Sequence, residues 1–374
     1  PAGFAARQGG CLAQGMTDPR RLLAGLPHAT TRRVRGRRFF LLPTEFVTDL
    51  TRYCVALAAG RQRESLELYA YTAQANHTHA NVKDGHAEGE LSRLPDFKRD
   101  LHRNLACALN AHYDEAENVW APGSYSNTEI YGQASIEDQL IYLWTQPVKD
   151  GLCECPEDWP GFMLLPEDFG KIIFARKPDG AYFGSTHAPS LPPPPESLAS
   201  WQEEVSAENA AALAALDDDS SAPASPTPRP RRSSLPQIAS FRVGVPPGFE
   251  GLPIEQVRRY FRVRLNLALA ELRAERARRN LTYLGIEQVL AQSHLDSPGP
   301  VTSDASINPR VACRGNRELL IAVLLGLGAW KATYRRAYED LRAGRPARFP
   351  PGTWGRHRYP RALPLPRDPP PPGA

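Results

Sequence analysis

The chain has 374 residues, of which 41% are hydrophobic and 37 are prolines, and a chain of this length usually forms two folded units. Its net charge of +4 hides an asymmetry: residues 1–40 carry eight Arg and one Asp, residues 41–228 carry 12 basic and 29 acidic side chains, and residues 229–374 carry 25 basic and 11 acidic ones. The longest apolar run, Leu319 to Trp330, is about half the length of a membrane span, and the cysteines are mostly scattered, which together exclude a membrane-spanning protein and a disulfide framework. We therefore expect a cytoplasmic protein with no membrane partner and, from its basic ends, a nucleic acid partner.

Changes in composition along the chain predict where its folded units begin and end. Residues 189–240 are rich in Pro, Ala and Ser, which is typical of an extended, solvated linker. We accordingly expect a disordered or non-native leader at 1–29, an N-terminal domain at 30–188, the linker at 189–240, a helical basic domain at 241–360 and a Pro-rich tail at 361–374.

The N-terminal domain alternates strand and helix patterns in the order β-α-β-β-α-(β)-α. This order predicts an α+β fold of the ferredoxin-like kind, an antiparallel sheet with helices on one face. The predicted strands are Arg37–Leu42, Leu66–Thr72 and Thr78–Val82, with a strand or ordered loop at Ser124–Tyr131. The predicted helices are Glu45–Gln62, Pro95–Tyr113 and Ser135–Val148, the last with Ser135 as its N-cap.

The C-terminal domain is predicted to be helical and basic. Its predicted helices are Pro253–Asn280, Leu284–Ser293 and Arg317–Ala343. In the first of these helices an apolar stripe is expected to face inward, while arginines cover the rest of the surface. The apolar run from Leu319 to Trp330 is expected to be a buried helix.

The short motif Asn76-His77-Thr78-His79 is the sharpest local feature of the sequence. On a strand, side chains two residues apart point to the same face, so His77 and His79 can place two imidazole nitrogens on one metal ion. Taken alone, the pair is more often a polar strand surface than a metal site.

A second motif runs from Tyr142 to Leu152. Residues four apart share a helix face, so Tyr142 and Gln146 are expected to be neighbours, and the amide oxygen of Gln146 suits a hard divalent cation. Taken alone, the motif is more typical of a core tyrosine in a helix that ends at Pro147.

Together the two motifs resemble the REP-associated branch of the single-tyrosine HUH transposases. The family pattern joins Asn-His-x-His on a strand to Tyr-x-x-x-Asn/Gln-Pro-Val-x-x-Gly-Leu some sixty residues later, and residues 142–152 follow the second part. The resemblance covers residues 33–185. A weaker likeness, in residues 309–314 and 349–353, is to the extra domain of some long members.

The resemblance implies a fold and a chemistry. The fold would be a ferredoxin-like sheet with the HUH strand at its centre. Tyr142 would attack a phosphodiester of single-stranded or hairpin DNA, leaving a 5′-phosphotyrosyl enzyme and a free 3′-OH. His77, His79 and Gln146 would bind Mg²⁺ or Mn²⁺. Two positions depart from the usual pattern: Thr78 stands where a bulky apolar residue is usual, and Gln146 where this branch usually has Asn.

Several arginines are candidate contacts to the DNA backbone, although exposed charges on helices are often only solvated. Near the first strand these are Arg32, Arg33, Arg35, Arg37 and Arg38; on the second helix Arg99 and Arg103; and in the C-terminal domain Arg258, Arg259 and Arg262.

Three functions stay open on the sequence alone. The first is a DNA transposase or nickase, with a homodimer as an option. The second is a domesticated or decayed relative that binds DNA without cleaving it. The third is a small regulator that holds Zn²⁺ with His77, His79, Cys153 and Cys155, although the CxC spacing lacks the second pair of a usual zinc site.

Overall fold

The computed structural model describes residues 19, 21–85, 92–184, 235–298 and 310–353. The predicted tail at 361–374 and most of the predicted linker, up to residue 234, lie outside the described residues. Within the described ranges the chain is an α+β fold with a mixed five-stranded sheet and a second, two-stranded sheet.

The N-terminal part follows the predicted order of elements. It consists of β1 (Pro27–Val34), α1 (Glu45–Arg61), β2 (Leu66–Gln74), β3 (His77–Asp84), α2 (Leu94–Tyr113), β4 (Trp120–Ile130) and α3 (Gln133–Lys149). The N-terminal part ends with β5 (Ile172–Arg176). The C-terminal part adds β6 (Ile238–Arg242), α4 (Ile254–Arg278), α5 (Ile286–Leu290), β7 (Val311–Ala312) and α6 (Arg317–Arg342).

The main sheet has the strand order β2-β3-β1-β4-β7. The first four strands pair antiparallel, whereas β7 pairs parallel with β4. The strand that carries the histidine motif, β3, is an interior strand beside the central β1, so the expectation that it takes the centre is wrong by one position. Its backbone is paired on both sides, which fixes the direction of each side chain.

The first strand was predicted too late in the chain. Residues Arg35–Arg37 form a 3-10 helix, and the strand is Pro27–Val34. The leader expectation also fails from residue 21 onwards, because Leu22 is buried in the core and Arg21 forms an ion pair of 2.7 Å with Glu129. Residues 1–18 and 20 lie outside the described residues.

Helices lie on both faces of the sheet, not on one face as expected. Lys98 of α2 donates a hydrogen bond of 2.8 Å to Asn127 of β4. Asn127 pairs across the sheet with Thr30 of β1, and Thr30 pairs with Ala80 of β3, so these three residues share one face of the sheet. Since α1 packs against α2, both helices cover the Ala80 face. His79 points to the opposite face, and α3 packs there against β2 and β3.

The start of α3 also differs from the prediction. Gly132 is its N-cap residue, with no side-chain cap. Ser135 is buried inside the helix, and its hydroxyl accepts a hydrogen bond of 2.6 Å from the backbone of Arg314. The residue expected to cap α3 therefore joins the helix to the segment that follows β7.

The C-terminal part does not form a separate helical unit in the described residues. The strand β6 pairs with β5, and both strands pack on α1. The apolar stripe of α4 packs on α3, where Phe261 meets Trp144 and Phe169 at ring-centroid distances of 5.8 and 5.6 Å. That stripe consists of Val257, Phe261, Leu265 and Leu269, all of them in the N-terminal core cluster. An apolar stripe on a helix is stable when it packs on another apolar surface, and the side of α3 that carries Trp144 provides that surface.

The last helix, α6, is less buried than its apolar sequence indicates. Leu327 and Trp330 are buried, but Ile321, Leu324 and Leu325 are 48%, 49% and 70% exposed. In the described part of the chain, no helix combines the length and the apolar character that a bilayer crossing requires.

Candidate functional site

The two histidines of the sequence motif lie side by side on β3. His77 and His79 alternate with the buried Thr78, so they share the face that α3 covers. Their ring centroids are 4.7 Å apart and the ring planes are nearly perpendicular, at 86°. Strand geometry thus brings two imidazoles together, as the spacing predicted.

A neighbouring side chain holds each imidazole through its Nδ1 atom. His77 Nδ1 lies 2.6 Å from Asn76 Oδ1, and His79 Nδ1 lies 2.9 Å from Thr31 Oγ1 on β1. An amide oxygen only accepts, so the His77 contact assigns a proton to Nδ1. With the same tautomer in His79, both Nε2 atoms keep a lone pair for a cation.

Both imidazoles are held in the neutral form. Burial lowers the pKa of His77 well below its ordinary value of 6.5, and the neighbouring His79 and Arg33 lower it further. Burial, followed by the charge of Arg33, lowers the pKa of His79 to about 4. In the described part of the chain, His79 Nε2 is buried without a hydrogen-bond partner, as expected of an atom that binds a ligand.

The candidate nucleophile lies directly beside the histidine pair. Tyr142 on α3 is 43% exposed, and its ring centroid is 5.7 Å from that of His79 at an interplanar angle of 87°. Burial of part of the side chain raises the pKa of Tyr142, while a hydrogen bond with Gln146 and the charge of Arg33 act in the opposite direction. The Lys149 ammonium lies 5.4 Å from the centre of the phenol ring.

A cavity of about 990 Å³ contains these side chains. Its walls come from the histidine face of the sheet, from α3 through Tyr142, Gln146 and Asp150, and from the segment after α5 through Gln292 and Asp296. The volume accommodates a nucleotide-sized ligand. The contribution of the segment after α5 had no signal in the sequence, because that segment shows no motif and lies some 150 positions from Tyr142.

The residues present fit a divalent cation with a mixed nitrogen and oxygen ligand set. The described residues contain no group of three or more His, Cys, Asp or Glu side chains able to hold a metal ion, so the two imidazoles need an oxygen ligand of another type, such as a side-chain amide. Gln146, one helical turn after Tyr142, lines the same cavity. Two nitrogens and one amide oxygen leave open positions for an anionic substrate and water.

The zinc-regulator hypothesis is wrong for the described residues. Cys153 is buried in the core, and its thiol donates to the carbonyl of Cys155 at 3.0 Å. The Cys155 sulfur lies 3.1 Å from a guanidinium nitrogen of Arg273. The two cysteines therefore do not complete a metal site with the histidine pair.

The arginines proposed as DNA contacts near β1, together with Arg99 of α2, fall into two groups. Arg33 and Arg37 line the cavity, and the backbone φ of Arg37 is 59°, a left-handed value that is uncommon outside glycine. Others are occupied by partners within the chain: Arg32 lies over the Trp120 ring, Arg35 pairs with Glu117, Arg38 with Glu115, and Arg99 with Asp96 and Asp100.

The C-terminal arginines divide in the same way. Arg258 donates to the carbonyl of Phe169 at 2.6 Å, and Arg262 pairs with Glu157 and Glu167. These contacts hold α4 against the 3-10 helices Pro156–Asp158 and Pro166–Asp168. The two carboxylates offset the charge of Arg262, and Glu255 on the same helix pairs with Arg258. Arg103 and Arg259 are exposed, which leaves them on the surface where the sequence placed them.

No protein-family model matches the chain, and no curated protein sequence matches it. The solved structures that are similar to part of it include the following two. The structure of a REP-associated tyrosine transposase bound to a REP hairpin has 21% identity and a TM-score of 0.33, and covers 41% of this chain and 85% of that one. A protein of Deinococcus radiodurans R1 with a provisional transposase assignment has 18% identity and a TM-score of 0.24, and covers 33% of this chain and 93% of that one. The chain thus has partial structural similarity to these transposases, and at this level the similarity carries no conclusion about its activity.

Proposed function

We propose that this chain is a metal-dependent DNA strand transferase or nickase that acts on single-stranded or hairpin DNA through Tyr142. One observation carries the proposal. The phenol of Tyr142 and the imidazole of His79 are ring neighbours at 5.7 Å, in a cavity that also contains His77 and Gln146. A nucleophile and a set of neutral cation ligands thus share one site.

The reaction is a transesterification. The phenol oxygen of Tyr142 forms a bond to phosphorus, and the bond between phosphorus and the 3′ oxygen of the preceding nucleotide breaks. The phenol proton passes to solvent, and the leaving 3′ oxygen takes a proton from water. The products are a 5′-phosphotyrosyl enzyme and a free 3′-OH, and because one phosphodiester replaces another, the reverse attack rejoins the strand without an added energy source.

His77, His79 and Gln146 would hold the cation, Mg²⁺ or Mn²⁺. When bound, the cation supplies positive charge that polarises the phosphate and offsets charge on the attacking and leaving oxygens. The two nitrogen ligands favour Mn²⁺ over Mg²⁺. Because the three protein ligands are neutral, they leave the charge of the cation available to an anionic substrate.

The chain's own residues supply orientation and charge. Arg33 and Arg37 line the cavity, where guanidinium groups bind phosphate oxygens with good geometry. The pKa of Tyr142 is raised by burial, so the phenol is protonated at neutral pH and needs help to become a nucleophile. Arg33, whose charge lowers that pKa, favours the loss of the proton.

The direct test is a covalent adduct. Wild-type protein incubated with single-stranded hairpin DNA and Mn²⁺ is expected to give a protein–DNA species that survives denaturation. Tyr142→Phe should abolish this species, and removal of the metal with EDTA should prevent it. Tyr131→Phe is a matched control, because Tyr131 is bound to Arg21 and Glu129 and does not line the cavity. An adduct that persists in Tyr142→Phe contradicts the proposal.

One observation favours a second candidate, a DNA-binding protein without cleavage activity. The raised pKa of Tyr142 makes the phenol a weaker nucleophile than an ordinary tyrosine would be at the same pH. If the chain is such a DNA-binding protein, the wild type binds hairpin DNA with or without metal and forms no covalent adduct under any condition.

A further inference from the structure

A buried carboxamide beside the histidine pair has no partner among the described residues. Gln74 is only 2% exposed, and neither its oxygen Oε1 nor its nitrogen Nε2 has a hydrogen-bond partner. It also lines the cavity that contains Tyr142 and the histidines. Burying an amide with both polar atoms unpaired is costly, and an apolar side chain would avoid the cost.

The strand register places this amide on the histidine face. Gln74 is the residue of β2 directly across from His77 of β3, next to the turn formed by Ala75 and Asn76. Directly paired residues of antiparallel strands lie on the same face with Cβ atoms about 5 Å apart. The amide of Gln74 therefore sits beside the His77 ring. The strand β2, which carries Gln74, flanks β3 on one side, and β1, which carries Arg33, flanks β3 on the other.

Thr72 provides an internal comparison on the same strand. Its hydroxyl is also buried and without a partner in the described residues, and it lies across from His79. Thr72 does not line the cavity. Its own backbone forms an isolated antiparallel bridge with Met163. Of these two neighbouring orphaned polar groups, only Gln74 is placed where a ligand in the cavity can satisfy it.

We infer that Gln74 is a further binding residue of the reaction site, and that its side-chain amide contacts both the divalent cation and the substrate phosphate. The Oε1 atom of Gln74 binds the cation, as the amide oxygen of Gln146 does from the other side of the cavity. The Nε2 atom of Gln74 donates a hydrogen bond to a phosphate oxygen. A carboxamide is suited to both tasks because it offers an acceptor and two donor hydrogens on one planar group. This inference rests on the proposed function, since it takes the cation and the DNA phosphate from it.

The test uses the full chain with three substitutions and two binding measurements. Gln74→Leu removes both polar atoms, Gln74→Glu keeps an oxygen ligand but removes the donor, and Thr72→Val is the matched control. Mn²⁺ affinity is measured by titration calorimetry. Affinity for hairpin DNA in Mn²⁺ is measured by fluorescence anisotropy with Tyr142→Phe added to every variant, which prevents cleavage.

The expected pattern separates the two atoms of the amide. Gln74→Leu should weaken Mn²⁺ binding by about tenfold or more, because loss of a group that only orients a metal ligand already costs about that much, and should weaken DNA binding as well. Gln74→Glu should keep Mn²⁺ affinity and lose DNA affinity, because a carboxylate repels phosphate. Thr72→Val should match the parent protein in both. The melting temperature of Gln74→Leu should equal or exceed that of the wild type, which shows that the variant folds.

Two results have different meanings. If Gln74→Leu binds Mn²⁺ and DNA as tightly as the parent protein, the inference about Gln74 is overturned while the proposed function stands. If the wild-type protein binds no Mn²⁺ and forms no adduct on Tyr142, the proposed function itself fails and the inference fails with it.

Discussion

The imidazole of His79 is oriented by a single hydroxyl from the neighbouring strand. Thr31 on β1 pairs directly with His79 on β3, and its Oγ1 lies 2.9 Å from the imidazole Nδ1. A group that fixes the tautomer of a metal-binding histidine affects metal affinity without touching the metal. Thr31 was not singled out from the sequence, because nothing in the local pattern shows which threonine of a strand faces a histidine of another.

Thr31→Val is therefore expected to weaken Mn²⁺ binding by about tenfold or more while the fold is retained. The adjacent Thr30→Val is the matched control. Thr30 faces the other side of the sheet, where its hydroxyl donates to the Ala80 carbonyl at 3.3 Å, so its replacement should lower stability and leave Mn²⁺ affinity unchanged. Calorimetric titration of both variants checks this, and equal Mn²⁺ affinities for the two would contradict the assigned role.

A histidine outside the site, His102, links folding to pH. His102 packs against Trp120 with ring centroids 5.0 Å apart. Burial, helped by the charges of Arg32 and Lys98, lowers the pKa of His102 to about 3, whereas an unfolded histidine has a pKa of about 6.5. Between these two values the unfolded chain holds a proton that the folded chain does not.

The free energy of unfolding should consequently fall as pH drops from about 6.5 towards 3, by up to about 1.4 kcal/mol per pH unit for this one group. Above pH 6.5 the contribution is fully present and constant. His102→Gln should reduce the slope relative to the wild type, because the other buried histidines remain in both proteins. Urea denaturation at pH 7, 6 and 5 measures the difference, and identical slopes would show that His102 titrates normally in the folded protein.

At the scale of elements, the sequence predicted the helices better than the first strand. The helix α2 follows an apolar stripe, and its observed bounds differ from the predicted ones by one residue. The strand β1 has no such pattern. Its α2-facing side carries His28 and Thr30, which are buried through polar contacts with neighbours such as Asn127. A strand whose buried side is polar gives no alternation of apolar residues to find.

The pairing of β5 with β6 was also missed, for a different reason. The two strands are separated by more than sixty residues that include the predicted linker, and no local periodicity indicates which distant strand will be a partner. The close fit of these strands on α1 is visible at Gly60. A Cβ atom at this position would overlap the backbone carbonyl oxygen of Ser240 on β6.

Gly60→Ala should therefore destabilise the protein by about 1–3 kcal/mol, as overpacking does when the obstructing atom belongs to the backbone. Gly328 on α6 is the control, since a Cβ there meets no atom within 4 Å. Gly328→Ala should stabilise the protein by about 0.5–1 kcal/mol through helix propensity. Chemical denaturation of the two variants gives opposite signs if the packing of α1 on β6 is correct, and a neutral or stabilising Gly60→Ala would contradict it.

At the scale of the whole molecule, the C-terminal part completes both the core and the candidate site. Composition predicted a boundary between two folded units near residues 189–240. Composition reports charge and proline content, but it does not show which surface buries an apolar stripe. Phe261 fills the space beside Trp144 and Phe169, and the segment after α5 walls the cavity of Tyr142. The histidine and tyrosine motifs were predictable from spacing, whereas the far wall of their cavity was not.

A chain that ends after residue 184 should accordingly fail to fold as a stable unit. It would expose the side of α3 that α4 covers and leave β5 without its partner strand, so we expect increased binding of a hydrophobic dye and no cooperative thermal transition. The full chain should unfold in one cooperative step over the same range. A truncated chain that unfolds cooperatively at the full-length temperature would instead support two independent units.

The central claim is that His77 and His79 hold one divalent cation beside Tyr142. Anomalous X-ray diffraction from crystals of the full chain grown with Mn²⁺ tests this claim most directly. We predict a single Mn²⁺ peak bonded to the Nε2 atoms of both histidines, at about 2.0–2.3 Å, in the cavity that Tyr142 lines. A peak that contacts neither imidazole, or no peak at saturating Mn²⁺, would contradict it.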